Sequence, residues 1–160
     1  MKIRKATQKD IDAVWEIFHE VIKTGDTYVF DPKMPKHDLT KHWFASYMHT
    51  YVLESNKKIS GTYILKPNQI DLGSHIANGS YMVHPNAQRQ GFGEAMCIHS
   101  IKEAKKLGFK AIQFNMIVKT NTPAIQLWKK MGFEIVGTLP DGFNHLTKGY
   151  IDAYIMYKKL

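Results

Sequence analysis

The chain has 160 residues, 44% of them apolar and 12% aromatic, which predicts one globular domain (residues 1–160) with a core that needs no cross-links. Its single cysteine, Cys97, excludes an internal disulfide, and the Cys/His spacings of structural zinc are absent, so no metal is expected. The net charge of +8 suits an anionic partner: nucleic acid, acidic lipid or a phosphorylated cofactor.

Hydrophobic periodicity predicts strands and helices along the whole chain. The first helix is well marked, because Thr7-x-x-Asp10 has the form of a capping box and apolar residues recur at helical spacing as far as Ile22. The predicted elements are, in chain order, a strand at 2–6, helices at 11–22 and 38–48, strands at 51–54, 58–65 and 74–84, a helix at 91–107, a strand at 110–118, a helix at 122–131, and strands at 133–138 and 150–157. This order predicts an α/β fold in which a mixed sheet carries helices on both faces.

The most informative segment joins the strand at 74–84 to the helix at 91–107. A polar loop containing Gln88 and Arg89 follows Pro85, and the helix starts near Gly91. A helix start presents unpaired N–H groups, and its dipole favours negative charge. Since Gly91 and Gly93 carry no side chain to hold a phosphate away from that backbone, the loop is a candidate phosphate site.

Three interpretations of this loop compete. An isolated G-x-G is more often an ordinary glycine-rich turn that starts a helix. A Rossmann fingerprint requires a third glycine, where Ala95-Met96 stands instead, and a P-loop requires a Gly-Lys-Ser/Thr that is missing. The context, Gln88-x-x-Gly91-x-Gly93 after a strand that ends in mid-chain, favours a phosphate-binding loop of another kind.

Three segments, correctly ordered and spaced, resemble the GCN5-related N-acetyltransferase (GNAT) superfamily over nearly the whole chain. They are the opening segment from Ile3 to Asp12, the Gln88-x-x-Gly91-x-Gly93 loop, and Asn121-x-x-Ala124-x-x-Leu127-Trp128-x-x-Met131-Gly132-Phe133. The resemblance implies a GNAT-like sheet that splays between the strands at 74–84 and 110–118, with the pantetheine arm of acetyl-CoA, the cosubstrate, in the gap. The residues that it implies in holding acetyl-CoA are Met82, Val83, Gln88, Arg89, Gln90, Gly91, Phe92, Gly93, Glu94 and Asn121.

Two features depart from the family pattern. Members often place a Glu on the fourth strand as general base, but the segment from His75 to Val83 contains no carboxylate. Members also often carry a Tyr that protonates the leaving thiolate, and Trp128 stands at that position. The sequence therefore identifies neither a general base nor a general acid.

Asparagines are the polar groups that the sequence offers instead. Asn78 and Asn115 lie on predicted strands, where asparagine is disfavoured, and Asn121 follows the second of them. Each amide has an alternative role, which is to bond nearby backbone. The surrounding segments resemble a GNAT subgroup, the yeast acetyltransferases of azetidine-2-carboxylate and related proline analogues, which implies that Asn78 and Asn115 position the substrate carboxylate. Gly149-Tyr-Ile-Asp152 resembles phosphinothricin-type acetyltransferases more weakly.

The expected function is transfer of acetyl from acetyl-CoA to a small amine, an amino acid or proline-like analogue, by direct attack in a ternary complex. A catalytically weak acyl-CoA sensor and a protein or peptide N-acetyltransferase are the alternatives. Nucleic-acid binding is a third class, but the lysines are scattered and no recognition helix or basic arm is evident. Without a signal peptide or a membrane-spanning run, we expect a cytoplasmic protein with no membrane partner, and a homodimer is its candidate assembly.

Overall fold

The computed structural model describes residues 1–160 and has its elements in the predicted order. The strands are β1 (Lys2–Lys5), β2 (His49–Ser55), β3 (Lys58–Pro67), β4 (Ile76–Val83), β5 (Ala111–Val118), β6 (Glu134–His145) and β7 (Gly149–Lys159). The helices are α1 (Ile11–Ile22), α2 (Leu39–Trp43), α3 (Phe92–Lys106) and α4 (Thr122–Lys130). The predicted α/β class is confirmed, and none of the helices is long and apolar enough to cross a membrane.

The capping box predicted ahead of α1 is present, and Arg4 of β1 completes it. Asp10 accepts hydrogen bonds from the N–H and the Oγ1 of Thr7, at 2.7 and 3.0 Å. The guanidinium of Arg4 bonds both carboxylate oxygens, at 2.8 and 2.9 Å. Chiefly through these Arg4 hydrogen bonds, the pKa of Asp10 is lowered to about 2. The start of α1 is thereby tied to β1.

Helix α2 is shorter than predicted, since it ends at Trp43 and not near residue 48. Phe44 leaves the helical conformation at φ −131°. The buried Trp43 indole donates to Thr62 Oγ1 in β3 at 3.0 Å, and the Trp43 carbonyl accepts from the hydroxyl of Thr50 in β2. These contacts with the sheet fix where the helix ends, which local propensity does not reveal.

Strand β6 is longer than the predicted 133–138, since it runs on to His145. Its register with β7 shifts between Leu139 and Phe143, around Pro140 and Asp141, where Asp141 has a φ of 50°. A proline normally ends a strand, but at a bulge its missing N–H costs no ladder bond. The strand therefore resumes after the bulge.

The sheet has the strand order β1-β2-β3-β4-β5-β7-β6, and only β4 and β5 run parallel. These two strands pair at three positions, from Ile76 opposite Ala111 to Asn78 opposite Gln113, and then separate. Beyond that point β5 continues to pair with β7 alone. The splay that the family resemblance implies is therefore present, and it leaves the second half of β4 without a strand partner on one side.

Alternation along β4 assigns its side chains to two different cores. Tyr81 lies on the α3 side, where it stacks on Tyr63 at 5.4 Å and its hydroxyl bonds Ser100 of α3 at 2.7 Å. Met82 packs on the opposite side with residues of α1 and α2. Asn78 has the parity of Met82 and therefore faces the α1 side of the sheet.

Candidate active site

A cavity of about 390 Å³ opens where β4 and β5 separate. Its wall comes mainly from β4, β5, α4 and the connection between α1 and α2. Single residues of α1, of the end of β3 and of the loop before α3 complete it. Of the residues singled out by the sequence, the cavity brings together Asn78, Met82, Val83, Gln88, Asn115 and Asn121. The others, Arg89, Gln90, Gly91, Phe92, Gly93 and Glu94, lie outside the cavity wall, in the loop before α3 and its first turn.

The second half of β4 turns backbone groups into this gap. The N–H of His84 bonds Ser60 of β3 at 2.9 Å, so alternation points the backbone groups of Tyr81 and Val83 the other way, toward β5. Met82 has the parity of His84, so its backbone faces β3 and its buried side chain packs toward α1. Tyr81 and Val83 are therefore the β4 residues whose backbone groups face the gap.

Tyr28, from the connection between α1 and α2, caps these backbone groups. Its hydroxyl donates to the carbonyl oxygen of Tyr81 at 2.6 Å and accepts from the N–H of Tyr81 at 3.1 Å. Burial raises the pKa of Tyr28, so the hydroxyl stays protonated at neutral pH. No local sequence pattern predicts this contact, which joins a loop to a strand 53 residues away.

The loop before α3 has the backbone of an anion site. Gly91 caps the helix at φ 77°, and Arg89 is also left-handed at φ 61°. The N–H of Ala95 bonds the Gly91 carbonyl at 3.0 Å. The N–H groups of residues 92–94 precede that first helical bond and are directed toward the loop.

Gly93 and Glu94 also join α3 to α4. A Cβ at Gly93 would lie 3.2 Å from Leu127 Cδ2, whereas one at Gly91 would meet nothing within 4 Å. The Glu94 carboxylate pairs with Lys130 at 2.8 Å, which leaves only the backbone N–H of Glu94 for a ligand. The absent side chain of Gly93 thus allows close helix packing, a role that its place in the glycine motif did not reveal.

The side chains of Asn78, Asn115 and Asn121 have different hydrogen-bond partners. The Asn78 amide is buried and donates one N–H to the Gln113 carbonyl at 3.0 Å, and the exposed Asn115 amide donates to Asn68 Oδ1 at 2.7 Å. Each of these amides keeps a second N–H. Asn121 caps α4, and its Oδ1 accepts from the N–H of Ala124 at 3.4 Å, which leaves both of its amide hydrogens free.

Trp128 forms part of the cavity wall, at the position where the family often has tyrosine. It is 6% exposed and packs against Phe114 at 4.7 Å and Tyr81 at 4.9 Å. Its indole Nε1–H is buried and has no hydrogen-bond partner. An indole donates a hydrogen bond but gives up no proton near neutral pH. Since no Asp or Glu lines the cavity either, the wall contains no carboxylate base.

Comparison with known proteins agrees with this geometry. The model of the acetyltransferase (GNAT) family matches residues 13–133. The chain is 29% identical over 151 residues to N-acetyltransferase aca1 of Schizosaccharomyces pombe, covering 84% of this chain and 72% of that protein. A solved GCN5-related N-acetyltransferase from Kribbella flavida is 34% identical, with a TM-score of 0.93 over 99% of this chain and 97% of its own. The structure of yncA from Salmonella typhimurium with its cofactor acetyl-CoA, 22% identical, has the same fold, with a TM-score of 0.89 over 100% of this chain and 94% of its own.

Proposed function

Because this chain belongs to the acetyltransferase (GNAT) family and is an acetyl-CoA-dependent N-acetyltransferase, we propose that its acceptor is the amine of a small molecule, an amino acid or proline-like analogue. The observation that carries the proposal is the position of Asn78 and Asn115. Both line the cavity beside the unpaired half of β4, and each keeps an N–H that can bond a carboxylate.

The acetyl-CoA side of the site is proposed from donors that the fold leaves without partners. Helix α3 directs the N–H groups of residues 92–94 at the loop, and Gln88 and Arg89 add side-chain donors, so this end suits a pyrophosphate. Val83 turns its backbone into the gap, which suits the amides of a pantetheine arm. The free amide hydrogens of Asn121 belong to a residue of the same cavity wall. The residues present therefore fit the cofactor.

Acetyl-CoA would supply an acetyl group activated as a thioester. The chain's own contribution is to orient the amine and to direct donors at the place where negative charge develops on a carbonyl oxygen. The N–H of Tyr81 is such a donor once the Tyr28 hydroxyl has moved away. Because the cavity wall holds no carboxylate, the amine would bind as the free base in a ternary complex and release its proton to water. The C–N bond would form as the C–S bond of the thioester breaks, so that CoA leaves as the thiolate.

A panel assay tests the proposal. The release of CoA thiol is followed with amino acids, proline analogues, polyamines and a short peptide that has a free N-terminus. We expect turnover with members of the first two groups and little with polyamines. Turnover with the peptide alone would make the chain a peptide acetyltransferase. Tight CoA binding with slow thiol release that no amine accelerates would identify an acyl-CoA sensor and overturn the proposal.

A further inference from the structure

Lys66 is the only residue with a formal charge in the wall of the cavity. It lies near the end of β3, directly opposite Asn78 in the antiparallel pairing of β3 and β4. The side chain is half-buried, and it takes part in none of the ten ion pairs of the structure. An ammonium group that no carboxylate neutralises gives this end of the cavity a positive field.

Lys66 and the two asparagines lie on the same face of the sheet. Directly opposite residues of an antiparallel pair have Cβ atoms about 4.5–5.5 Å apart, so the Lys66 side chain starts beside the Asn78 amide. Asn115 shares this face and is held by Gln113, whose Nε2 donates to Asn115 Oδ1 at 2.9 Å, and by Asn68. One cation and two amide N–H groups therefore surround the same end of the cavity.

We propose that Lys66 pairs with a carboxylate of the acceptor, with Asn78 and Asn115 adding hydrogen bonds, so that the enzyme selects amines that also carry a carboxylate. This inference rests on the function proposed above and adds Lys66 as the residue that selects its substrate by charge. The wall supplies no second cation and no acid, so the field selects for an anion and against polyamines. Amide donors favour a carboxylate over a neutral carboxamide only through stronger hydrogen bonds, whereas an ammonium group adds an attraction between two charges that the carboxamide lacks.

The test compares each accepted amino acid with its own carboxamide, which has the same amine and side chain but no negative charge. Three variants are measured for KM and kcat. Lys66→Met removes the charge and keeps a long unbranched side chain, Lys66→Arg keeps the charge, and Lys58→Met is the matched control. Lys58 is an exposed lysine at the other end of the same strand, outside the cavity and in no ion pair. The Lys58→Met variant therefore shows how much KM changes when the protein loses one positive charge away from the cavity.

We expect Lys66→Met to raise the amino-acid KM about 10- to 100-fold, the equivalent of one charge-assisted hydrogen bond of about 1.5–3 kcal/mol. The carboxamide KM and the acetyl-CoA affinity should change less than about twofold, since neither involves the lost charge. Lys66→Arg should keep most of the preference for the amino acid over its carboxamide, and Lys58→Met should behave as wild type.

Three results with the variants would overturn the inference. These are equal KM changes for the acid and its amide, no change in either, or a Lys66→Arg protein that keeps its KM but loses kcat, since the last would make Lys66 a base. A wild-type protein that acetylates small amines but prefers carboxamides would also refute it, while leaving the small-amine acceptor intact. A protein that acetylates no small amine would instead refute the proposed function itself.

Discussion

The hydroxyl of Tyr28 lies 2.6 Å from the carbonyl oxygen of Tyr81 and 3.1 Å from its amide nitrogen. One side chain thereby satisfies both backbone groups of a residue that β5 leaves unpaired. If the thioester carbonyl binds the same N–H, cofactor and tyrosine compete for one donor. Binding of the cofactor between β4 and β5 would then displace the Tyr28 hydroxyl, and with it part of the connection between α1 and α2.

Replacing Tyr28 by Phe should tighten acetyl-CoA binding about 2- to 10-fold, because a competitor worth about 0.5–1.5 kcal/mol is removed. The same change should lower the free energy of unfolding by about 1 kcal/mol, since the backbone of Tyr81 loses its partner. Titration calorimetry and urea unfolding measure the two effects. Tyr150→Phe, at an exposed tyrosine, is the control and should change neither. Weaker binding in a folded Tyr28→Phe protein would mean that the hydroxyl contacts the cofactor.

Gly91→Val should weaken acetyl-CoA binding about 10- to 100-fold for each donor lost, because a side chain there displaces the pyrophosphate from one or two donors worth about 1.5–3 kcal/mol each. The substitution meets no protein atom within 4 Å but strains a residue at φ 77°. Gly108→Val is the matched control, since Gly108 follows the same helix at φ 86° and also lies in open space. Both variants should lose similar stability, and only Gly91→Val should lose affinity. Unchanged CoA affinity in folded Gly91→Val would refute the loop assignment.

Trp128→Tyr should leave turnover at the wild-type level or above it. The indole N–H has no partner to lose, and tyrosine restores the hydroxyl that the family often places there. The smaller ring leaves a gap against Phe114 and Tyr81, so we expect a loss of about 1–3 kcal/mol in stability. Melting temperature measured beside kcat separates the two effects. A stable variant with far lower kcat would assign a positive role to the indole N–H.

The ion pair of Arg4 with Asp10 predicts a loss of stability in acid. The pKa of Asp10 is lowered to about 2, so its carboxylate stabilises the fold fully above the ordinary pKa of about 4. That contribution, about 2 kcal/mol, is lost as the pH falls from about 4 toward 2. Urea unfolding at several pH values in this range measures the free energy of unfolding. As the pH falls, that free energy should decline less in Arg4→Met than in wild type. The control is Lys2→Met, at an exposed neighbouring residue, whose free energy of unfolding should depend on pH as in wild type. The same pH dependence in Arg4→Met and wild type would contradict the role of the Arg4–Asp10 ion pair.

Much of the fold could be predicted from local sequence. Capping residues, helix-ending glycines and alternation set the order of elements, and the family motifs implied the splay of β4 from β5. The end of α2 could not be predicted, because Trp43 ends it through contacts with β2 and β3. The continuation of β6 past Pro140 was missed for a similar reason, since only the pairing with β7 reveals a bulge there.

The site was predictable where a motif carries it and not where the fold assembles it. The loop from Gln88 to Gly93 is a local pattern, and its backbone has the expected helix-start form. The contact of Tyr28 with Tyr81 joins a loop to a distant strand, and the place of Lys66 beside Asn78 depends on strand register. Register follows from a pairing that no single segment contains.

The most direct test of the central claim is the effect of Asn115→Asp on the KM of the best amino-acid acceptor. Asn115 is exposed and donates only to a side chain, so the variant should fold, whereas Asn78→Asp also loses its bond to the Gln113 carbonyl. A carboxylate facing the substrate carboxylate is repulsive in a partly desolvated cavity. We predict a KM rise of at least about tenfold, a smaller rise for Asn115→Ala, and unchanged acetyl-CoA affinity. Wild-type KM in both Asn115→Asp and Asn78→Asp would show that the acceptor is not held there, and would contradict the proposal of an amino-acid substrate.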